Sequence, residues 1–106
     1  MAGTLDVGDD PAEALAFRFF PARPNPVRAG ATVAFDLPRP SRVTLSVFDV
    51  SGRLVRRSDF GRLAPGHQSR AWNANDDRGT PLPNGVYFLR LETERERGVH
   101  KVLVLR

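Results

Sequence analysis

The feature that most constrains this chain is a succession of short β-type segments separated by turn-forming residues. Each segment is rich in Val, Leu, Phe or Thr, and Gly, Pro, Asn or Asp residues separate most of them. Seven follow one another, at residues 17–20, 32–37, 42–50, 53–60, 67–72, 86–93 and 99–105. Short strands at this spacing are typical of sandwiches, so we predict an all-β fold, an immunoglobulin-like β-sandwich of about seven antiparallel strands.

Apolar and polar residues alternate within several segments, and this alternation assigns an inward face to each. Successive side chains of a strand point to opposite faces, so residues two apart lie together. The predicted inward-facing residues are Val33, Phe35, Leu37, Val43, Leu45, Val47, Tyr87, Leu89 and Leu91. Large aromatic side chains usually fill the core of a sandwich, and we predict that role for Trp72, Phe35, Phe48 and Phe88. The continuous apolar run 102–105 predicts either a strand buried on both faces or a strand end that awaits a partner.

Turn-forming residues support the same map. The pair Ser51 and Gly52 is a two-residue hairpin signal, so the third and fourth segments should pair as neighbours. Residues 64–66 (APG) and 83–85 (PNG) are further turns, in which Gly66 and Gly85 can adopt a positive φ because they lack a Cβ atom. Gly85 stands two residues before Tyr87, whose hydroxyl we expect to bond to a nearby turn, as corner tyrosines do in sandwiches.

The chain of 106 residues has room for one domain of this kind. Residues 1–16 are acidic and weakly patterned, and we interpret them as a poorly ordered linker or added lead-in before a domain at 17–106. Helix has little support, because the one candidate stretch, 11–17, is too short to be stable alone. The lead-in lacks the pattern of a secretory signal, so an export signal is expected upstream of this sequence.

Charge and composition exclude several classes of function. The chain has 16 basic and 12 acidic residues, and no cysteine that could form a disulfide or a thiolate metal site. The basic residues are scattered singly, apart from the adjacent pair Arg56 and Arg57, and no basic stripe with interleaved aromatics is present, so we predict no nucleic-acid partner. No apolar run approaches the length of a transmembrane helix, and none is predicted.

Catalytic motifs do not emerge. The two histidines, His67 and His100, lie in no nucleophile motif, and the serines fall in ordinary turn or strand contexts. No phosphate-binding glycine loop or paired general acid and base is present. We therefore predict that the chain is not an enzyme and uses no cofactor.

One stretch has the composition of a cation site. Residues 73–79 alternate oxygen-bearing side chains in a tight loop, as Ca²⁺ requires, and the candidate ligands are Asn73, Asn75 and Asp77. The loop departs from the EF-hand pattern, because its glycine, Gly79, is seventh rather than sixth and Asn84 stands where a bidentate glutamate belongs. Asx side chains also cap turns by bonding to backbone amides, and we favour that interpretation.

Several stretches resemble two known families. Residues 20–26 (FPARPNP), 84–88 (NGVYF) and 100–106 (HKVLVLR) resemble the C-terminal sorting domain of type IX secretion cargo. Residues 47–55 (VFDVSGRLV) and the pattern from Trp72 to Tyr87 resemble the immunoglobulin-like domain of the flagellar hook-capping protein. The matching structural residues are Pro24, Asn25, Pro26, Gly52, Trp72, Gly85 and Tyr87. The prolines around Asn25 are expected to stiffen the approach to the first sheet.

The sorting-domain resemblance implies recognition without catalysis. An upstream cargo domain would pass through the periplasm, and an outer-membrane translocon or surface-attachment proteins would then recognise this domain. The implied location is secreted or on the cell surface of a Gram-negative bacterium. The candidate recognition residues are Lys101, Val102, Leu103, Val104, Leu105 and Arg106, at a last strand whose free edge could accept a partner strand.

Two alternatives remain open on the sequence. The chain resembles a structural module of the hook-capping or adhesin type, which would mediate protein–protein assembly. It is also compatible with a calcium- or carbohydrate-binding β-sandwich appended to an enzyme, with the 73–79 loop as its site.

Overall fold

Seven strands form the computed structural model, which describes residues 16–106. Their order along the chain is β1 Arg18–Phe19, β2 Ala31–Leu37, β3 Ser41–Phe48, β4 Leu54–Leu63, β5 Gly66–Trp72, β6 Gly85–Glu92 and β7 Arg97–Val104. All seven correspond to predicted segments. Among the described residues no helix is long and apolar enough to cross a membrane. The helix considered at 11–17 and the lead-in at 1–16 lie almost entirely outside the described residues, and Ala16 and Phe17 are not helical.

The strands form two sheets, and every pairing within them is antiparallel. One sheet has the order β1-β2-β5 and the other the order β4-β3-β6-β7. The hairpin predicted at residues 51 and 52 does join β3 to β4. These two sheets confirm the immunoglobulin-like sandwich predicted from the strand spacing.

The core lies between the sheets and is built from the residues that the alternation predicted. Each of the nine predicted inward-facing side chains is buried, and Phe35, Leu37 and Leu89 are completely inaccessible. Burying one large aliphatic or aromatic side chain stabilises a fold by about 1.5–3 kcal/mol, so a core of this size offsets the missing disulfides. Trp72 is also buried and closes one end of the core.

Strand boundaries differ from prediction where side chains or glycine reshape the backbone. We predicted that the fourth segment ends at Phe60, but β4 continues to Leu63 because Gly61 adopts φ 74° in a β-bulge opposite Val43. β7 begins at Arg97, two residues before the predicted start. There Thr93 Oγ1 accepts the N–H of Glu96 at 2.9 Å and closes a tight turn between β6 and β7.

Candidate protein-docking surface

The candidate recognition residues at the end of β7 do not share one surface. Val102 and Val104 are buried in the core, whereas Lys101, Leu103 and Leu105 are exposed. The prediction of a strand buried on both faces is therefore wrong. Of the six candidate residues, Lys101, Leu103 and Leu105 project away from the core and present an accessible face.

The outer edge of β7 is not free at this end, and the expectation of a free edge is wrong there. Asn25 Oδ1 accepts the N–H of Leu103 at 3.0 Å. Val27 donates its N–H to the Leu103 carbonyl at 2.7 Å and accepts the N–H of Leu105 at 2.8 Å. The segment around Pro24, Asn25 and Pro26 thus covers the edge of the four-stranded sheet at the end of β7.

Arg106 is bound to the domain rather than presented as a docking cation. Its Nε donates to the Leu82 carbonyl at 2.8 Å, and its terminal nitrogens donate to the carbonyls of Ala74 at 2.6 Å and Arg28 at 3.1 Å. Its backbone N–H donates to Asn84 Oδ1 at 2.8 Å. A planar guanidinium suits this task because it directs several donors at once. Arg106 therefore ties two connecting segments, the one between β5 and β6 and the one before β2, to the end of β7.

Tyr87 forms the predicted corner. Its hydroxyl donates to the carbonyl oxygen of Pro83 at 2.8 Å, four residues upstream, while its ring is buried in the core. Gly85 opens β6 just before it and pairs with Val104. Burial raises the pKa of the Tyr87 phenol, the nearby Asp49 carboxylate raises it further, and Arg106 opposes both.

The hairpin between β3 and β4 is held by one carboxylate. Asp49 Oδ1 accepts the Ser51 hydroxyl at 2.6 Å and the N–H groups of Ser51 at 2.9 Å and Arg53 at 3.0 Å. These bonds, led by the Ser51 hydroxyl, lower the pKa of Asp49 below its ordinary value. Gly52 has φ 86°, a conformation that side-chain-bearing residues rarely adopt, which explains the glycine at this turn.

The loop after β5 contains the candidate cation ligands Asn73, Asn75 and Asp77, and a guanidinium lies among them. Arg56 Nη1 lies 3.4 Å from Asn73 Oδ1 and 3.3 Å from the Asn75 carbonyl oxygen. Asn73 Oδ1 also accepts the Asn75 N–H at 3.1 Å, and Asp77 Oδ1 accepts the N–H of Arg57 at 3.1 Å. The described part of the chain contains no group of three or more His, Cys, Asp or Glu side chains able to hold a metal. The side-chain oxygens of Asn73 and Asp77 thus bind groups of the domain itself, as in the turn interpretation, and Asn75 does so through its backbone.

The histidines, too, are engaged in contacts within the sandwich. His67 Nδ1 lies 2.6 Å from Asp36 Oδ1, across the β2–β5 pairing. His100 Nε2 lies 2.6 Å from the carbonyl oxygen of Phe19, and its ring packs 4.7 Å from the Phe19 ring. The first contact links paired strands of one sheet, and the second links β7 of the four-stranded sheet to β1 of the three-stranded sheet.

Two aromatic predictions need correction. Phe35 and Trp72 are core residues as predicted, and Phe35 stacks on Phe60 with ring centroids 6.3 Å apart. Phe48 and Phe88 are only half-buried, because they pair with each other on the outward face of β3 and β6. Counting positions from their buried neighbours would have placed both on that face.

Sequence reasoning missed Arg56 as the partner of the 73–79 loop and Arg106 as a loop tie. Neither had a sequence signal, because the two arginines reach acceptors 17 to 78 positions away in the chain. The role of Asn25 had a partial signal, since its motif was recognised but its bonding partner was not.

Comparisons with known proteins support the fold and the family. The basal-body rod modification protein FlgD of Salmonella typhimurium is 34% identical over 50 residues, which cover 47% of this chain and 22% of that protein. The chain thus spans only about a fifth of that relative's length.

Three solved structures share the fold. FlgD from P. aeruginosa superposes with a TM-score of 0.57 and 27% identity, over 70% of this chain and 58% of that one. Dimeric latent PorU from Porphyromonas gingivalis superposes with a TM-score of 0.71 and 22% identity, over 87% of this chain and 10% of that one. PorZ is an essential bacterial surface component of the type-IX secretion system in the same organism. It superposes with a TM-score of 0.59 and 21% identity, over 83% of this chain and 11% of that one. At these identities the likeness to PorU and PorZ concerns the fold alone.

The family is established by a direct match to its model. The model of the FlgD Ig-like domain matches residues 25–97, which is more than half of the chain and extends from the Asn25 segment to the start of β7. The two sheets, the Tyr87 corner and the Asp49 hairpin all lie wholly or largely within that range. This chain therefore belongs to the FlgD Ig-like domain family.

Proposed function

We propose that this chain is a non-catalytic protein-docking module of an assembly outside the cytoplasm. The observation that carries the proposal is that both histidines and two of the three candidate cation ligands already bind groups of the same domain. His67 binds Asp36, His100 binds a backbone carbonyl, and the side-chain oxygens of Asn73 and Asp77 bind backbone amides and, for Asn73, Arg56. The exposed surface of the two sheets remains available for contact with another protein.

Within this proposal the first candidate is a structural immunoglobulin-like module, of the hook-capping or adhesin type, that mediates protein–protein assembly. Membership of the FlgD Ig-like family supports it, together with the relative FlgD, a basal-body rod modification protein. Its partner would be another subunit of the same assembly.

The second candidate is a sorting domain that directs an upstream cargo domain through type IX secretion to the cell surface or medium of a Gram-negative bacterium. It is supported by the resemblance of residues 100–106 to sorting domains and by the fold shared with PorU and PorZ. Its partners would be the outer-membrane translocon or surface-attachment proteins.

A reporter fusion separates the two candidates. A fluorescent protein with a periplasmic export signal is joined to residues 17–106 and produced in a bacterium that has a type IX system. Surface display of the reporter supports sorting, and periplasmic retention of a folded fusion supports the structural module.

Point variants are needed in this test because truncating the last strand would remove core residues Val102 and Val104 and unfold the domain. Lys101→Glu changes an exposed side chain on β7 and leaves the core intact. Arg78→Glu makes the same change of charge in an exposed loop and serves as the matched control. Loss of display in the first variant alone would support sorting through β7.

If neither variant changes display, β7 is not the recognised element. The exported reporter without residues 17–106 is the negative control. If the fusion to residues 17–106 stays in the periplasm as this control does, the sorting candidate fails in that host.

A further inference from the structure

The outward face of the four-stranded sheet contains a group of apolar side chains, here called the outer patch and defined as Phe48, Val86, Phe88, Val99 and Leu103. Strand register brings these residues together. Phe88 pairs with Phe48 on one side, and Val86 pairs with Leu103 on the other. Directly paired residues on neighbouring strands lie on the same face of a sheet, and so do residues two apart on one strand. Val99 pairs with Arg90 and stands two residues before Lys101, the partner of Phe88, so it lies on the same face as the other four.

The outward face carries exposed apolar side chains where an antiparallel sheet with one solvated face usually carries polar ones. Val99 is 52% exposed and Leu103 is 38% exposed, while Phe48, Val86 and Phe88 are half-buried. A contiguous apolar area on the outside of a small domain marks a protein contact more often than scattered single residues do.

Positively charged side chains lie between and beside the residues of the outer patch. Lys101 is exposed between Val99 and Leu103 and pairs with Phe88 across the sheet. The guanidinium of Arg90 lies 4.7 Å from the centre of the Phe48 ring. These cations favour a partner that brings carboxylates next to its own apolar side chains.

The acidic group beside the outer patch is already neutralised. Glu92 Oε2 lies 2.7 Å from Arg97 Nη2, and Glu92 Oε1 lies 3.2 Å from Arg90 Nε. One carboxylate between two guanidinium groups leaves this side of the sheet with a net positive charge. A second copy of the chain would bring a like-charged rim against it, which costs free energy.

We propose that the outer patch is the docking surface of this domain, and that its partner is a protein segment or surface with an apolar centre and an acidic rim. The inference deepens the proposed docking function, because it names the surface and the chemistry of the partner. It also replaces the edge of β7, which Asn25 and Val27 cover, with the face of the same strand.

The test uses the 106-residue chain labelled with ¹⁵N and two soluble peptides of equal length and equal leucine content, one with glutamate and the other with lysine at the remaining positions. We expect the glutamate peptide to shift the amide resonances of the outer patch and the lysine peptide to leave them unchanged. Binding of the glutamate peptide should weaken as salt is added, because exposed charges are screened.

Two substitutions assign the binding to the outer patch. Lys101→Glu should lower the affinity for the glutamate peptide about fivefold. Arg78→Glu makes the same change of net charge in an exposed loop and should leave this affinity unchanged. Val99→Ser should lower the affinity for the same peptide about threefold. Val50→Ser, at an exposed position of the β3–β4 hairpin, should have no effect on it. All four positions are exposed, so the variants are expected to fold.

Three results would overturn the proposal. Equal binding of both peptides would show that charge does not select the partner, and shifts elsewhere on the domain would move the docking surface. Concentration-dependent dimerisation that Val99→Ser abolishes would make a second copy the occupant. These outcomes are separable from the reporter test, since a domain that is displayed without binding the glutamate peptide would keep its proposed function and lose this surface.

Discussion

Asn25 and Leu103 are 78 positions apart in the chain, and the side-chain oxygen of Asn25 accepts the backbone N–H of Leu103 at 3.0 Å. This bond, with the two backbone bonds of Val27, fastens the segment before β2 to the outer edge of the last strand. It joins the beginning of the domain to its end, and it satisfies backbone groups that would otherwise be open to pairing with another chain.

Replacing Asn25 with alanine should therefore loosen the end of β7. Asn25→Ala removes one net hydrogen bond, and we expect the free energy of unfolding to fall by about 1 kcal/mol. Hydrogen exchange at the Leu103 amide should accelerate more than exchange at amides in β3. Asn75→Ala is the control, because the Asn75 side chain makes no hydrogen bond to the described residues. Equal exchange rates in parent and Asn25→Ala would contradict the role assigned to Asn25.

Arg106 should be important for stability although it is the last residue of this sequence. Arg106→Ala removes charge-assisted bonds to three carbonyl groups, and we expect a loss of about 2 kcal/mol in chemical denaturation. Arg106→Lys should recover less than half of that loss, because an ammonium group cannot span the same acceptors. Arg28→Ala leaves its carbonyl in place and should change stability by less than about 0.5 kcal/mol. If Arg106→Ala left the free energy of unfolding unchanged, the loops would be held by other contacts.

The Tyr87 corner predicts a measurable dependence on alkaline pH. Tyr87 is the single tyrosine of the chain, so ultraviolet absorbance follows its ionisation directly. Its pKa is higher in the folded protein than in the unfolded chain, so the stabilisation is complete below about pH 10 and is lost as pH rises through the folded pKa.

Tyr87→Phe should cost about 1 kcal/mol at neutral pH, because the Pro83 carbonyl loses its donor. The variant should also lose much of the fall in melting temperature between neutral and alkaline pH. An ordinary phenol titration in the folded protein would contradict the buried corner.

The Asp49 hairpin predicts the opposite dependence, at acidic pH. Its carboxylate has a lowered pKa in the folded protein, so its contribution is present above the unfolded value and is lost as pH falls through the folded pKa. Asp49→Asn should lower the melting temperature at neutral pH and should reduce its decline on acidification. Parallel melting curves for parent and Asp49→Asn across that range would exclude a role for the Asp49 charge.

Seven strand positions, the inward faces and the main hairpin were predictable because they depend on local properties. Side-chain alternation, glycine conformation and the absence of an amide donor in proline act over a few residues, and all are visible in the sequence. The family resemblance added Asn25 and Tyr87 as residues of interest. The hydroxyl bond of Tyr87 was then predictable because its acceptor lies only four positions away.

The sequence by itself determined which residues form strands and which side chains enter the core, since period-two burial follows from the backbone geometry of a strand. Only the tertiary structure decided that Asn25 and Val27 cover the edge of β7, that Arg56 lies among the oxygens of the 73–79 loop, and that Arg106 ties distant loops together. Each of these contacts joins residues far apart in sequence and depends on how the two sheets bring their loops and edges together. Local patterns contain no information about such distances, so the positions of these groups follow from the packed sandwich alone.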